Sequence, residues 1–363
     1  MPQPARTTFY NYALLVVLVL LVLIAVPEIA VRAMVPKEVF WPISNIYQKS
    51  TIPELHYLYR PNYSGVAFGV GLETNSAGFR GPEWTPERPP ETFRIACIGD
   101  SHTFGYGVGY EQTFCKRLAE LLNARQSRPV ESLNFGVNGF NARQLQAVTE
   151  HLVEDFDPSL YLIVFANNDY KAHFVADDEG WLYWDPSHAA NSRVRDKSLE
   201  MLEPESMPWY LEHSRLLLYL KILQKRFELQ DMAQEERLDA SGPPEENWMG
   251  PFPPGREISD RLAETVHKPL LEMLALAKER GKPVMIATVC TSLDYRQMFQ
   301  HISHQYGVPV VELLALFPEA TSWADLLEKF GLGWDPHLNE KAHERWAEAL
   351  ATKILEQGFL EPV

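Results

Sequence analysis

Phe93-Arg94-Ile95-Ala96-Cys97-Ile98-Gly99-Asp100-Ser101 is the stretch on which the reading of this chain turns. Its first six residues are nearly all apolar, the pattern of a strand covered on both faces in a parallel sheet. Such a strand ends at Gly99 and delivers Ser101 to the carboxyl edge of the sheet, where open α/β sheets hold their ligands. Ser101 is therefore a candidate nucleophile, although a serine in this position also serves as a turn residue or helix cap.

Working outward, the pattern alternates. A helix is expected over about 111–126, a strand over 130–134, a helix over about 141–155 and a strand over 160–165. That βαβ rhythm implies a parallel sheet. A second series follows, with a helix over about 258–280 ending at Gly281, strands over 283–289 and 308–312, and a last helix over about 339–356. With 363 residues, 46% of them hydrophobic, the chain can bury one large core, so the expectation is a single α/β domain spanning 93–363. A long excursion at about 171–257 interrupts it, carrying Trp181, Tyr183, Trp184 and Trp209, an amphipathic stretch from Leu216 to Leu238, and a breaker-rich run from Ser241 to Gly255. An insertion of this kind either shapes access to a site or packs on the sheet as a helical subdomain. Residues 36–92, rich in Pro, aromatic and polar residues, read as an ordered connector flanking the domain.

The N-terminus carries an unbroken apolar run, Tyr12 to Val26, which extends through 9–31 to about the length a bilayer requires. Residues 1–35 are accordingly expected to form a single-pass membrane anchor, with the remainder outside the cell or in the periplasm. A cleaved signal peptide is the alternative, because Val31-Arg32-Ala33 loosely fits a cleavage site. Net charge is -15, and no cluster of Lys and Arg offers a footprint for phosphates, which argues against a nucleic-acid partner. Cys97, Cys115 and Cys290 have no paired spacing and read as packed apolar residues. His301 and His304 sit at i, i+3 without further ligands nearby, so they read as a wet helical face and no metal is expected. Gly105-Tyr106-Gly107-Val108-Gly109 breaks the dinucleotide spacing because Tyr110 follows, and there is no P-loop. No cofactor is called for.

Three further segments bear on Ser101. Trp334-Asp335-Pro336-His337-Leu338-Asn339 precedes the last helix and offers a base, His337, with a carboxylate, Asp335, to orient it. A serine hydroxyl needs both, one to take its proton and one to fix the imidazole tautomer. Asn134-Phe135-Gly136-Val137-Asn138-Gly139-Phe140-Asn141 turns from a strand into a helix through two glycines and frees backbone amides. Phe165-Ala166-Asn167-Asn168-Asp169 puts a carboxamide on the same sheet edge. Donors aimed at one spot stabilise an oxyanion, and each segment taken alone also reads as an ordinary turn.

In order and type these four segments resemble the blocks of the SGNH hydrolases, also called the GDSL family. The resemblance implies a three-layer α/β/α sandwich with a mainly five-stranded parallel sheet, flavodoxin-like, and a hydrolase acting on ester bonds. It implies Ser101 as nucleophile with Asp335 and His337 completing a triad. It also implies an oxyanion hole from the Ser101 amide, the Gly139 amide (Gly136 in reserve) and the Asn168 side chain. Two residues depart from the pattern: Asp335 lies two before the histidine where the family most often has three, and Ala166 stands where a glycine is common. Asn75-Ser76-Ala77-Gly78-Phe79-Arg80-Gly81 resembles a motif of membrane-anchored members. The expected substrate is an acylated small molecule, glycan or lipid, with a small acyl ester on an envelope glycan favoured. Transfer beside an integral membrane acyl donor protein, lipid or thioester hydrolysis, and a non-catalytic scaffold are the other readings.

Overall fold

The computed structural model describes residues 4–35, 46–170, 174–176, 182–184, 210, 213–221, 260–333 and 335–361. The expected insertion at 171–257 and the aromatic residues Trp181 and Trp209 lie largely or wholly outside them, as does Trp334. The chain divides into two units, Met1–Pro42 with Asp196–Pro243, and Ile43–Arg195 with Pro244–Val363.

In the first unit a helix, α1, runs over Pro4–Met34. Its segment Tyr10–Met34 is long and apolar enough to cross a membrane and buries none of that apolar surface. Near its end the Glu28 carboxylate accepts hydrogen bonds from Ser214 Oγ and from the amides of Arg215 and Leu216, at the start of a helical stretch over 215–221.

The second unit opens with two hairpins where the sequence predicts only a connector. β1 (Tyr47–Lys49) pairs antiparallel with β2 (Tyr57–Tyr59), and β3 (Ser64–Ala67) with β4 (Val70–Glu73). Alternation of β-strand and α-helix follows. β5 (Phe93–Gly99) leads through the short α2 (Ser101–Phe104) to α3 (Phe114–Arg125). Next come β6 (Val130–Gly136), α4 (Ala142–His151) and β7 (Leu160–Ala166). A small hairpin, β8 (Phe174–Ala176) with β9 (Leu182–Trp184), lies beyond. α5 then runs from Asp260–Leu262 through a π turn at Ala263–His267 into Lys268–Glu279. β10 (Val284–Val289), α6 (Leu293–Tyr306), β11 (Val310–Glu312), α7 (Trp323–Phe330) and α8 (Glu340–Glu356) complete the unit.

Five strands form one parallel sheet in the order β11-β10-β7-β5-β6. Alternate residues of each strand enter opposite cores, as the period of two requires. Ala96, Ile98, Tyr161 and Ile163 pack with α4, α5 and α6, whereas Ile95, Cys97, Leu162 and Val164 pack with α3 and α8. This is the three-layer α/β/α sandwich. Strand order reverses between β5 and β7, so the chain crosses to opposite sides of the sheet after those two strands and leaves a crevice at their carboxyl ends. Ser101 follows β5 and Asn168 follows β7, which puts both at that switch point. All three cysteines are buried and unpaired.

Candidate active site

Asp100 caps α2, its Oδ1 accepting from the His102 amide at 2.9 Å, so Ser101 becomes the first helical residue. Amides in a first helical turn have no intrahelical acceptor and point at whatever lies ahead of the helix. The turn is tight enough to exclude side chains from its neighbours. A Cβ on Gly99 would lie 2.1 Å from Thr103 Oγ1, and one on Gly136 would lie 2.2 Å from the Phe104 nitrogen. β5 and β6 therefore close on the nucleophile helix only with glycine at both positions.

His337 arrives from the far end of the chain. Its loop is pinned at both sides, Leu332 donating to the His337 carbonyl at 3.0 Å and Asn339 to the Phe330 carbonyl at 2.7 Å, while the Asn339 side chain caps α8. Nε2 of His337 lies 2.7 Å from Ser101 Oγ and Nδ1 is hydrogen-bonded to Asp335 Oδ1. The same Oδ1 accepts the His337 amide at 3.1 Å. A carboxylate that binds the backbone two residues on makes an Asx turn, and here that turn brings it onto the ring as well. With a carboxylate on Nδ1 the proton belongs there, and the Nε2 lone pair faces the serine hydroxyl. Ser101, His337 and Asp335 are thus brought together, from opposite ends of the domain.

The oxyanion candidates converge unevenly. Asn168 Nδ2 donates to Asp100 Oδ2 at 3.0 Å, which uses one of its two hydrogens and fixes the direction of the other. Asn167 is a tie between strands, giving its Nδ2 to Thr291 Oγ1 at 2.6 Å and accepting the Thr291 amide at 3.2 Å. The reserve position, Gly136, has its amide taken by Asn134 Oδ1 at 2.9 Å. Gly139 has φ of 75°, and the peptide before it is gripped from the first hairpin: Tyr57 Oη donates to the Asn138 carbonyl at 2.6 Å and the Asn138 amide donates to Tyr59 Oη at 2.9 Å. Because a trans peptide points its N–H opposite its C=O, the bond from Tyr57 sets the direction of the Gly139 amide. These tyrosines are site residues that the sequence offers no signal for, since nothing in 46–60 marks them as facing a loop some eighty residues on.

Buried groups surround the three. Asp169 donates its amide to Ala166 and accepts the Ala166 amide on Oδ2 at 2.7 Å; burial, aided by the charge of Asp100, pushes its carboxyl well above the usual range. His102 is pulled down to about 4 by burial, and its ring centroid lies 5.2 Å from that of His337. His343, on α8, is pulled down to about 3, again by burial, and accepts the Phe114 amide on Nδ1 at 3.1 Å. Both are therefore neutral at pH 7, which leaves the His337 imidazole free of a charged histidine neighbour. Among the described residues no group of His, Cys, Asp or Glu could hold a metal ion.

Residues 97–210 match the model of the GDSL-like lipase/acylhydrolase family. Over those residues the chain is similar to that family. No curated protein matches it. Among solved structures, the chain is similar to a putative lipolytic protein of the G-D-S-L family from Desulfitobacterium hafniense DCB-2, at 12% identity over 71% of this chain and 98% of that one, with a TM-score of 0.39. It is likewise similar to a member of the lipolytic protein G-D-S-L family from Veillonella parvula DSM 2008, at 16% identity over 73% and 97%, with a TM-score of 0.36. AlinE4, an SGNH-hydrolase family esterase, gives 12% identity over 74% and 98%, with a TM-score of 0.35.

Proposed function

We propose that the protein is a serine esterase that removes or transfers a small acyl group through Ser101, His337 and Asp335. The observation that carries this reading is the 2.7 Å approach of His337 Nε2 to Ser101 Oγ with Asp335 on the other ring nitrogen. His337 takes the hydroxyl proton as Ser101 attacks the ester carbonyl, and the oxyanion lies among the amides of Ser101 and Gly139 and the free hydrogen of Asn168 Nδ2. His337 returns the proton to the leaving alcohol, and water, activated by the same imidazole, releases the acid.

The substrate we favour is a small acyl ester on an envelope glycan. Its support is twofold: α1, read as a single-pass anchor with the catalytic domain outside, and the aromatic insertion, whose rings suit sugar faces. Domain limits follow the same reading, with an anchor at 1–35, a flank at 36–92 and the catalytic domain at 93–363. Transfer to a glycan hydroxyl beside a membrane acyl donor protein differs only in the last step, and the apolar α1 favours keeping that reading. The test is hydrolysis of a small aryl acetate by the full chain in detergent, with and without an added glycan acceptor. Loss of turnover in Ser101→Ala supports the mechanism, and parental turnover in that variant contradicts it. Acyl-glycan forming faster than free acid selects transfer.

A further inference from the structure

We propose that Tyr106 is a positioning residue for the His337 imidazole and that Arg80, delivered by the Asn75–Gly81 turn, fixes the loop that carries it. The inference rests on the triad reading above and concerns what holds its base in place.

The His337 ring is not held by Asp335 alone. The Tyr106 ring stacks on it with centroids 4.4 Å apart and planes inclined by 22°, and the Tyr106 hydroxyl lies within hydrogen-bonding reach of Asp335. One side chain therefore touches both the base and its orienting carboxylate. Stacking blocks rotation of the imidazole out of the plane in which Nε2 meets Ser101 Oγ, and the hydroxyl takes up part of the charge on Asp335. That support matters here because the Asp335 carboxylate already serves the His337 amide through its Asx turn.

Tyr106 stands just beyond the end of α2, in a loop with little regular structure of its own. Arg80 supplies the order. It is fully buried, and its Nη1 donates to the carbonyls of Phe104 at 2.9 Å and Gly105 at 2.7 Å, while Nη2 donates to the Val108 carbonyl at 2.5 Å. The guanidinium also lies 4.8 Å from the centre of the Phe104 ring. The cost of burying this cation is offset by its carbonyl contacts and by the Phe104 ring. A planar fork with several donors can bracket Tyr106 from carbonyls on both sides; a lysine ammonium cannot. The turn that aims it is equally committed: Asn75 Oδ1 accepts the amides of Ala77 and Phe79, and Gly78, at φ 80°, would set a Cβ 2.6 Å from the Tyr59 carbonyl. The Asn75–Gly81 motif thus has a mechanical role in the site that is separate from membrane anchoring.

The groups facing His337 are Asp335 and Ser101, Tyr106 and His102 from the α2 segment, Asp100 behind His102, and His343 from α8. Of these only Tyr106 is changed in the decisive variants. Tyr106→Phe keeps the stack and removes the donor to Asp335; the carboxylate then holds the imidazolium more strongly, and the acidic limb of the rate profile moves to higher pH. Tyr106→Leu removes the stack as well and lets the ring tilt, lowering kcat by roughly 10- to 100-fold with KM little changed. Arg80→Met lowers kcat in the same sense.

The experiment uses the full chain in detergent. It measures kcat, KM and the pH profile for an aryl acetate, and the rate of fluorophosphonate labelling, for the parent, Tyr106→Phe, Tyr106→Leu and Arg80→Met, with thermal melts as a folding check. Labelling of the parent that is lost in Ser101→Ala and strongly slowed in His337→Ala establishes the Ser101–His337 pair on its own. If the parent labels and both Tyr106 variants keep the parental kcat and pH profile, the positioning role is overturned while the triad stands. If the parent does not label, the triad reading falls and this inference with it. Should Arg80→Met fail to fold, the two Tyr106 variants decide the matter.

Discussion

The nucleophile and its base are held by different means. Ser101 sits at the end of a central strand, on a helix that the sheet grips so closely that Gly99 and Gly136 cannot carry a side chain. His337 sits on a loop between α7 and α8, remote from β5 in sequence, and is held by two backbone hydrogen bonds, an Asx turn and the Tyr106 ring. The first half of the site is fixed by close main-chain packing and tolerates no volume; the second is fixed by its loop's own hydrogen bonds together with the Tyr106 ring. A strand end can place one group to within a fraction of an ångström, but a second group from a remote loop needs dedicated support.

The contrast can be broken at several points. The largest effect expected is from His337→Ala, which removes the imidazole hydrogen-bonded to Ser101 and should lower kcat by about 10⁴-fold or more while leaving the melting temperature near that of the parent. Steady-state kinetics with calorimetry checks both halves of that statement. Asn168→Ala should lower kcat by on the order of 10²- to 10³-fold with substrate binding nearly unchanged, because the donor acts on the oxyanion.

A paired substitution sharpens the comparison directly. Gly136→Ala forces a Cβ to 2.2 Å from backbone and should cost about 1–3 kcal/mol of stability together with activity. Gly333→Ala, in the histidine loop, meets nothing within 4 Å and bears only the strain of φ 77°, about 1 kcal/mol. Denaturant melts that gave equal losses for the two would erase the distinction between the halves.

How far the sequence could be read follows the same division. The five strands were accessible because strands buried on both faces are continuously apolar, and the βα alternation then dictated a parallel sheet; hence Ser101, Gly139 and Asn168 could be placed on one edge. Between the strands over 283–289 and 308–312, helix α6 was legible only as the wet face carrying His301 and His304, without bounds, since Leu293–Tyr306 interleaves polar residues with a thin apolar stripe of Tyr295, Met298, Phe299 and Ile302. The hairpins of 46–73 were read as connector because strands of three or four residues have too little length for a period to show. Asn168 and Asn167 are neighbours of identical chemistry, and only the Asp100 contact distinguishes the one facing the site. Contacts such as Tyr57 to Asn138, Arg80 to Gly105 and Tyr106 to His337 join segments whose separation in sequence carries no pattern.

A further pair of effects concerns pH and stability. His343 is pulled down to about 3 in the folded protein, whereas an unfolded histidine takes its proton near 6.5. Between those values the unfolded chain binds more protons, so stability falls as pH drops through that window. His343→Gln should flatten the fall by about 1.4 kcal/mol per pH unit. Asp169 has the opposite sign: its carboxyl is raised, so the unfolded state gains on it as pH rises above the ordinary aspartate range, and Asp169→Asn should stabilise at pH 8 and lose that advantage toward pH 4. Melts across pH 4 to 8 check both.

The central claim is that Ser101 is activated by His337. The most direct measurement is mass-spectrometric mapping of a fluorophosphonate adduct on the full chain at pH 7, for the parent and His337→Ala. The account predicts one adduct, on Ser101, formed rapidly in the parent and slowed by several orders of magnitude in the variant. An adduct on another residue, or labelling of Ser101 at the parental rate without His337, would contradict it.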